Sequence, residues 1–459
     1  MTGKYRQLAQ NTFIFAMGAF GSKLFLFLLV PLYTNVLTTR EYGISELIIN
    51  IGKLILPVVS LTIYDAIFPF ALSNKYKKEN IFLNVNLVLL AAAVFLIIVT
   101  PFWSYYKPVS EWKWYLYGYI ISSFVLENNM LYLKVNEKNR LYSILCVIQS
   151  FLLLIFNYYY LIVAKAGIKG YVISLIASNV IISVTAVLTG KFIQDLIKST
   201  FDKKLLAEMI KYSSPLIISS VLWWVIHSSD KIMVERMLGG ADLGLYSTAA
   251  KIPALIGTVT SIFNQAWGFS TVKEYNSSND SKFYSNVFQN FYIFLFGAGM
   301  FITALAKPFM SIYVGDGFSK SWLFVPMLVL GSVYSSFAVF INSLFSAMKR
   351  STDIMWSTLF AGVINIIANY ILIPLVGLQG ATIGTFAAYV SLTVIVMINL
   401  RRYIAIDYKV RTFLLAAAVS FLQCAVVIKL SDSFIPSVPF LVIYCFICRR
   451  SIYNLLKAI

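Results

Sequence analysis

The chain has 459 residues, of which 59% are hydrophobic and only 12% charged, with a mean hydropathy of +0.79. A soluble protein of this length carries about twice that share of charge, so a water-soluble globule is excluded and the chain reads as a polytopic membrane protein. The formal net charge of +18 sits mostly in the connections between apolar runs, where it suits an anionic leaflet and calls for no nucleic acid.

The apolar runs are about 20 residues or longer and do not alternate with period 2. Helices are therefore predicted rather than a β-barrel, despite 36 Phe and 29 Tyr. The first run follows MTGKYRQLAQ and is too long for a signal-peptide core, so it reads as an uncleaved span. In chain order the predicted spans are 11–36, 43–70, 81–106, 114–134, 141–164, 170–190, 212–236, 243–271, 283–314, 321–348, 354–376, 379–400, 411–430 and 434–448. The last is the weakest, being short and holding Pro436 and Pro439. Placing both termini in the cytoplasm puts most of the 37 Lys and Arg on that side, as the positive-inside bias requires. The longest polar connection, KFIQDLIKSTFDKKLLAEMIK at 191–211, reads as an amphipathic helix on the cytoplasmic surface. The expected organisation is a six-helix lobe over 1–190, the linker 191–211, a second six-helix lobe over 212–402, and two extra helices with a cytoplasmic tail over 403–459. The cysteines 146, 424, 445 and 448 lie in or beside apolar runs, and CFIC has no partner pair. No metal or cofactor is expected.

Two stretches repeat. LTTREYGISELIINIGKLI from Leu37 lies on LGGADLGLYSTAAKIPALI from Leu238, aligning Glu41 with Asp242 and Gly43 with Gly244. AGIKGYVIS at 166–174 lies on VGLQGATIG at 376–384, and Asn157-Tyr158 resembles Asn369-Tyr370. Helices 1–6 and 7–12 thus read as two copies of one unit. An even number of spans per unit makes the repeat parallel, an architecture that places substrate between halves that rock against each other.

These residues also carry a resemblance. SSDKIMVERMLGGADLGLYSTAAKI at 228–252, EYGISELI at 41–48 and GLQGATIG at 377–384 make the chain similar to the polysaccharide-transporter family. That family holds the O-antigen and capsule repeat-unit flippases of the multidrug/oligosaccharidyl-lipid/polysaccharide exporter superfamily. The resemblance implies an exporter of undecaprenyl-diphosphate-linked oligosaccharides in the bacterial inner membrane, not an enzyme. Membrane lipids, an H+ or Na+ gradient, and polymerase or export machinery are its implied partners. The related peptidoglycan-precursor flippases have fourteen helices and use basic residues in helices 1, 2 and 8, where Lys23, Lys53 and Lys251 stand here.

Ionisable residues inside spans carry the functional expectations. A lysine at mid-helix costs roughly 2.5–3.5 kcal/mol against lipid. Lys23 lies about twelve residues, or roughly 18 Å, from either end of its span, too far to snorkel easily. Lys23, Lys53 and Lys251 are candidates for binding a diphosphate, against the alternative of pairing with acidic neighbours such as Glu46. Glu46, Asn50, Lys53 and Pro57 share one helical stripe, expected to face a cavity. His227, Asp230 and Lys231, at i, i+3 and i+4, form either a proton or ion relay or a rim ion pair. Glu127 and Asp65 are candidate coupling carboxylates. Trp223, Trp224, Tyr246 and Trp267 are candidate sugar contacts, while Asn365 and Asn369 read as interhelical hydrogen-bonding residues. Two rivals remain: a cation-coupled multidrug exporter, which should line its site with carboxylates, and a flippase for teichoic-acid or other wall precursors. A membrane enzyme is disfavoured by the lack of a sizeable outer loop or of a catalytic motif.

Overall fold

The computed structural model describes residues 25–458 apart from 26, 73–74, 102–109, 278–280 and 349. Among these residues there is no strand, and ten helices are long and apolar enough to cross a membrane. The protein is a multi-pass, all-α membrane protein. It divides into two compact units, Met1–Trp224 and Val225–Ile459.

The N-terminal unit begins with α1 (Phe27–Val36) and α2 (Thr39–Val59). Thr38 starts α2 with a capping box: its hydroxyl accepts the Glu41 amide at 3.2 Å, and the Glu41 carboxylate accepts the Thr38 amide at 2.9 Å. The expected continuous span 43–70 is broken. Pro57 supplies no amide to the last turn of α2, and Leu61 and Thr62 turn left-handed (φ 51° and 46°). A short 3₁₀ turn, Ile63–Ala66, then leads into α3 (Ile67–Leu72). The unit continues through α4 (Lys78–Val99), α5 (Lys113–Val135), α6 (Asn139–Asn157), a π-helical turn at Tyr158–Val163, α7 (Gly167–Gly190) and α8 (Phe192–Lys198). Phe82 stacks on Tyr132 at 4.2 Å, with Phe192 edge-on to both. The Tyr132 hydroxyl donates to Asp195 at 3.0 Å and pins α8.

The long α9 (Lys203–Leu238) runs from one unit into the other. Its first half is tied to the N-terminal unit. Lys75 pairs with Glu208 at 2.8 Å, Thr62 donates to the Ser213 carbonyl at 2.9 Å, and the Trp224 indole donates to the Asn50 carbonyl at 2.8 Å.

The C-terminal unit adds α10 (Gly240–Ala249), α11 (Pro253–Ser277), α12 (Ser281–Tyr313), α13 (Val325–Ala347), α14 (Ser351–Val376), α15 (Leu378–Leu400), α16 (Val410–Leu430) and α17 (Phe434–Ala458). The expected single span 243–271 is two helices, because Pro253 opens α11 and cannot donate back into α10. Residues 250–252 form the break, and Lys251 lies in it. Helices α16 and α17 are part of this unit rather than loose additions. Gln423 donates to the Met300 carbonyl at 3.0 Å, Ser433 to the Ala304 carbonyl at 2.9 Å, and Tyr444 to the Ile293 carbonyl.

Close helix approach occurs at glycines in both units. A methyl on Gly380 would lie 2.2 Å from the Leu372 carbonyl oxygen, and one on Gly384 would lie 2.2 Å from Asn369 Oδ1. This Gly-x-x-x-Gly pair lets α15 sit against α14 at backbone distance. In the N-terminal unit a methyl on Gly170 would lie 3.0 Å from the Tyr160 carbonyl oxygen, at the matching place in the repeat.

Each of the fourteen predicted spans has helix within it. The four outside the ten have distinct reasons. Only the end of the first is described, from Phe27. Helix α5 carries Glu127, Asn128, Asn129 and Lys134. The α10–α11 pair is broken, and the apolar part of α17 is the short stretch Phe434–Arg449.

Candidate functional site

The C-terminal unit holds a cavity of about 750 Å³ walled by α9, α10, α11, α13 and α15. Two walls follow one rule. Helix α11 presents Pro253, Gly257, Thr260, Ser261 and Asn264, and α13 presents Leu328, Ser332, Ser335, Ser336 and Val339. Both sets run at i, i+4, i+7, i+8 and i+11, so each is a single helical face. The faces meet where Thr260 and Ser336 share a hydrogen bond at 2.7 Å. Asn264 Oδ1 accepts the Ser343 hydroxyl at 3.2 Å.

The third wall carries charge. His227, Asp230 and Lys231 of α9 line the cavity with Tyr246, Thr385 and Tyr389. Asp230 is 3% exposed. Its carboxylate accepts the Tyr246 hydroxyl, the Thr385 hydroxyl at 3.1 Å and the Lys231 amide at 2.8 Å. A buried carboxylate needs such a set of donors to stay in place. His227 Nδ1 shares a hydrogen bond with the Tyr389 hydroxyl at 2.6 Å. Behind this wall, fully buried Asn365 accepts from Ser229 and from Asn369, each at 3.1 Å.

The structure thus gathers His227, Asp230, Lys231 and Tyr246 around one space. The other candidates lie elsewhere. Lys251 is half-buried in the helix break, next to the cavity-lining Ala250 but not itself lining. Lys53 is exposed on α2, Asp65 is exposed in the 3₁₀ turn and Glu127 is exposed on α5. Lys23 lies outside the described residues. Trp223 is half-buried on α9, beside Trp224 with its bond to Asn50. Trp267 is buried, stacks on Phe340 at 4.3 Å and donates to the Phe340 carbonyl at 3.2 Å.

The stripe expected to face a cavity through Glu46, Asn50, Lys53 and Pro57 is buried in the N-terminal unit except at Lys53. Glu46 accepts the Tyr171 hydroxyl at 3.0 Å and, at a long 3.5 Å, that of Tyr42. Tyr33 packs on Tyr171 with ring centroids 4.7 Å apart. Sequence reasoning missed Thr385, Tyr389, Tyr171 and the hydroxyl faces of α11 and α13. The signal was present as serines and threonines at helical spacing inside apolar runs.

The C-terminal unit of this multi-pass helical protein thus holds a cavity whose walls combine one charged helix face, two hydroxyl-bearing faces and apolar surface. The chain belongs to the polysaccharide biosynthesis protein family, whose sequence profile matches residues 8–267. A curated relative, the probable low-salt glycan biosynthesis flippase Agl15 of Haloferax volcanii, is 23% identical over 208 residues, 44% of this chain and 43% of that protein. The chain therefore aligns with less than half the length of that relative. Among solved structures, the lipid II flippase MurJ in an inward closed conformation is similar in fold. Its TM-score is 0.72 at 14% identity, over 96% of this chain and 100% of that one. An inward-facing multidrug resistance MATE family transporter of the MOP superfamily matches with a TM-score of 0.63 at 14% identity, over 86% of this chain and 93% of that one.

Proposed function

We propose that the protein is a flippase that carries the polar head of undecaprenyl-diphosphate-linked oligosaccharide repeat units from the cytoplasmic to the outer leaflet of a bacterial inner membrane, for capsule, O-antigen or exopolysaccharide synthesis. The observation that carries this reading is a cavity of about 750 Å³ with charged and hydroxyl-bearing walls in the helical unit of a chain from a polysaccharide biosynthesis family. Such a space takes sugar groups of the head out of contact with lipid while the prenyl tail stays in it. In this reading the lobes 1–190 and 212–402 alternate access, both termini are cytoplasmic, and Lys23, Lys53 and Lys251 hold the diphosphate as point charges. Asp230, with His227 and Lys231 beside it, couples transport to an H+ or Na+ gradient.

Flipping of a fluorescent undecaprenyl-diphosphate oligosaccharide in proteoliposomes tests the proposal. The parent should flip it, and the Lys23→Ala/Lys53→Ala/Lys251→Ala variant should lose at least about tenfold in rate, a change of about 1.4 kcal/mol. Equal flipping by both would keep the flippase and remove the lysine clamp. No flipping by the parent across a range of glycans and ion gradients would overturn the reading. Asp230 gives the multidrug-exporter reading its one foothold, and ethidium efflux in the same vesicles decides against it if absent.

A further inference from the structure

We propose that the cavity of the C-terminal unit is a subsite for the uncharged sugars of the cargo, read by the hydroxyl faces of α11 and α13. The proposal rests on the flippase reading and adds the place where the glycan is recognised.

Charge argues first. The one carboxylate in the cavity is already bonded to Tyr246 and Thr385, and Lys231 lies beside it as counter-charge. The imidazole is engaged with Tyr389. The wall is close to neutral, which does not suit a diphosphate. Chemistry argues second. Among the described residues no protein group bonds the Ser332 or Ser335 hydroxyl, and none takes the amide hydrogens of Asn264, although all three line the cavity. A hydroxyl both donates and accepts, and an amide adds donors. This is the mixed complement that sugar hydroxyls present. A lipid tail would leave those groups unpaired, at a cost for each.

Space argues third. The cavity falls within the roughly 300–1,000 Å³ range of small-molecule sites. At Gly257, on its wall, an added Cβ would meet nothing within 4 Å. That glycine is not required by packing, so its absent side chain leaves the volume open. A site built to bond a substrate hydroxyl rejects analogues lacking it far more sharply than an apolar pocket rejects a change of one methylene. These two helix faces are therefore where one sugar is told from another.

The test uses the full chain in nanodiscs and two kinds of probe: farnesyl diphosphate, and farnesyl diphosphate bearing glucose, galactose or N-acetylglucosamine. The parent should bind at least one sugar-bearing probe about tenfold more tightly than farnesyl diphosphate. Ser332→Ala/Ser335→Ala should erase that preference and leave farnesyl diphosphate binding unchanged. Gly257→Trp, which fills the open space, should do the same, and the serine pair keeps the test decisive if the tryptophan variant misfolds. Equal binding of all probes by the parent overturns the sugar subsite and spares the flippase. A preference that survives in the serine variant also overturns the subsite, as does loss of farnesyl diphosphate binding in a Gly257→Trp variant that keeps the parent's melting temperature. Binding of no probe by the parent overturns the flippase reading, and the subsite with it.

Discussion

Among the described residues each unit buries one carboxylate and surrounds it with hydroxyl donors, Glu46 with Tyr171 and Tyr42, and Asp230 with Tyr246 and Thr385. Removing a donor from a buried anion costs more than the bond is worth, because the desolvation is no longer offset. Tyr246→Phe is expected to lower stability by about 1–3 kcal/mol, read as a fall in melting temperature in detergent. An unchanged melting temperature would show that Asp230 does not need that donor. Asp230→Asn keeps the shape and removes the charge. It should lower stability by about 1–3 kcal/mol, because its amide meets a donor where the second carboxylate oxygen accepted one, and reduce gradient-driven flipping at least about tenfold. Undiminished flipping under an imposed gradient would assign the carboxylate to structure alone. At this scale the sequence was partly legible. The His227, Asp230 and Lys231 spacing announced one helix face, and their neighbour Tyr246 was visible as an aromatic candidate. The hydroxyls of Thr385 and Tyr389 come from more than a hundred residues away, and spacing along a chain cannot report a partner on another helix.

At the level of helices, the same residue type plays opposite roles. Gly384 is held against Asn369, whereas Gly257 faces open space. Gly384→Ala should therefore force α14 and α15 apart and cost about 1–3 kcal/mol, the usual penalty of overpacking. Gly257→Ala should change the melting temperature little. Reversal of that order would refute the assignment of these two positions. The recurrence of AGIKGYVIS in VGLQGATIG was legible as a repeat, but the backbone-close contact its glycines make was not, because the surface a glycine meets lies on another helix. The breaks at residues 60–62 and 250–252 were not. Ala250, Lys251 and Ile252 all suit a helix, and a proline near them reads as a kink until the neighbouring turns are seen to end.

For the molecule as a whole, α16 and α17 have no counterpart in the repeat, yet they are bonded into the C-terminal unit through α12. A chain truncated after Arg402 should lose that support, and size-exclusion profiles after solubilisation should show aggregation rather than a smaller monodisperse protein. A well-behaved truncated chain would make the two helices dispensable. The architecture was the most legible layer, since the membrane class and the helical character follow from apolar length alone, whereas the helix breaks did not. The cavity was the least legible, because no single stretch of sequence contains it. Its separation from the tight helix contacts has a consequence for how such chains diverge. Substitutions at Gly257, Ser332 or Ser335 alter what the space accepts without passing through an unstable intermediate, whereas Gly380 and Gly384 tolerate almost nothing. In the proposed sugar-subsite reading, what the wall accepts can therefore drift by single steps while the scaffold stays fixed, and a saturation-mutagenesis map of the C-terminal unit should show one permissive wall set among intolerant glycines.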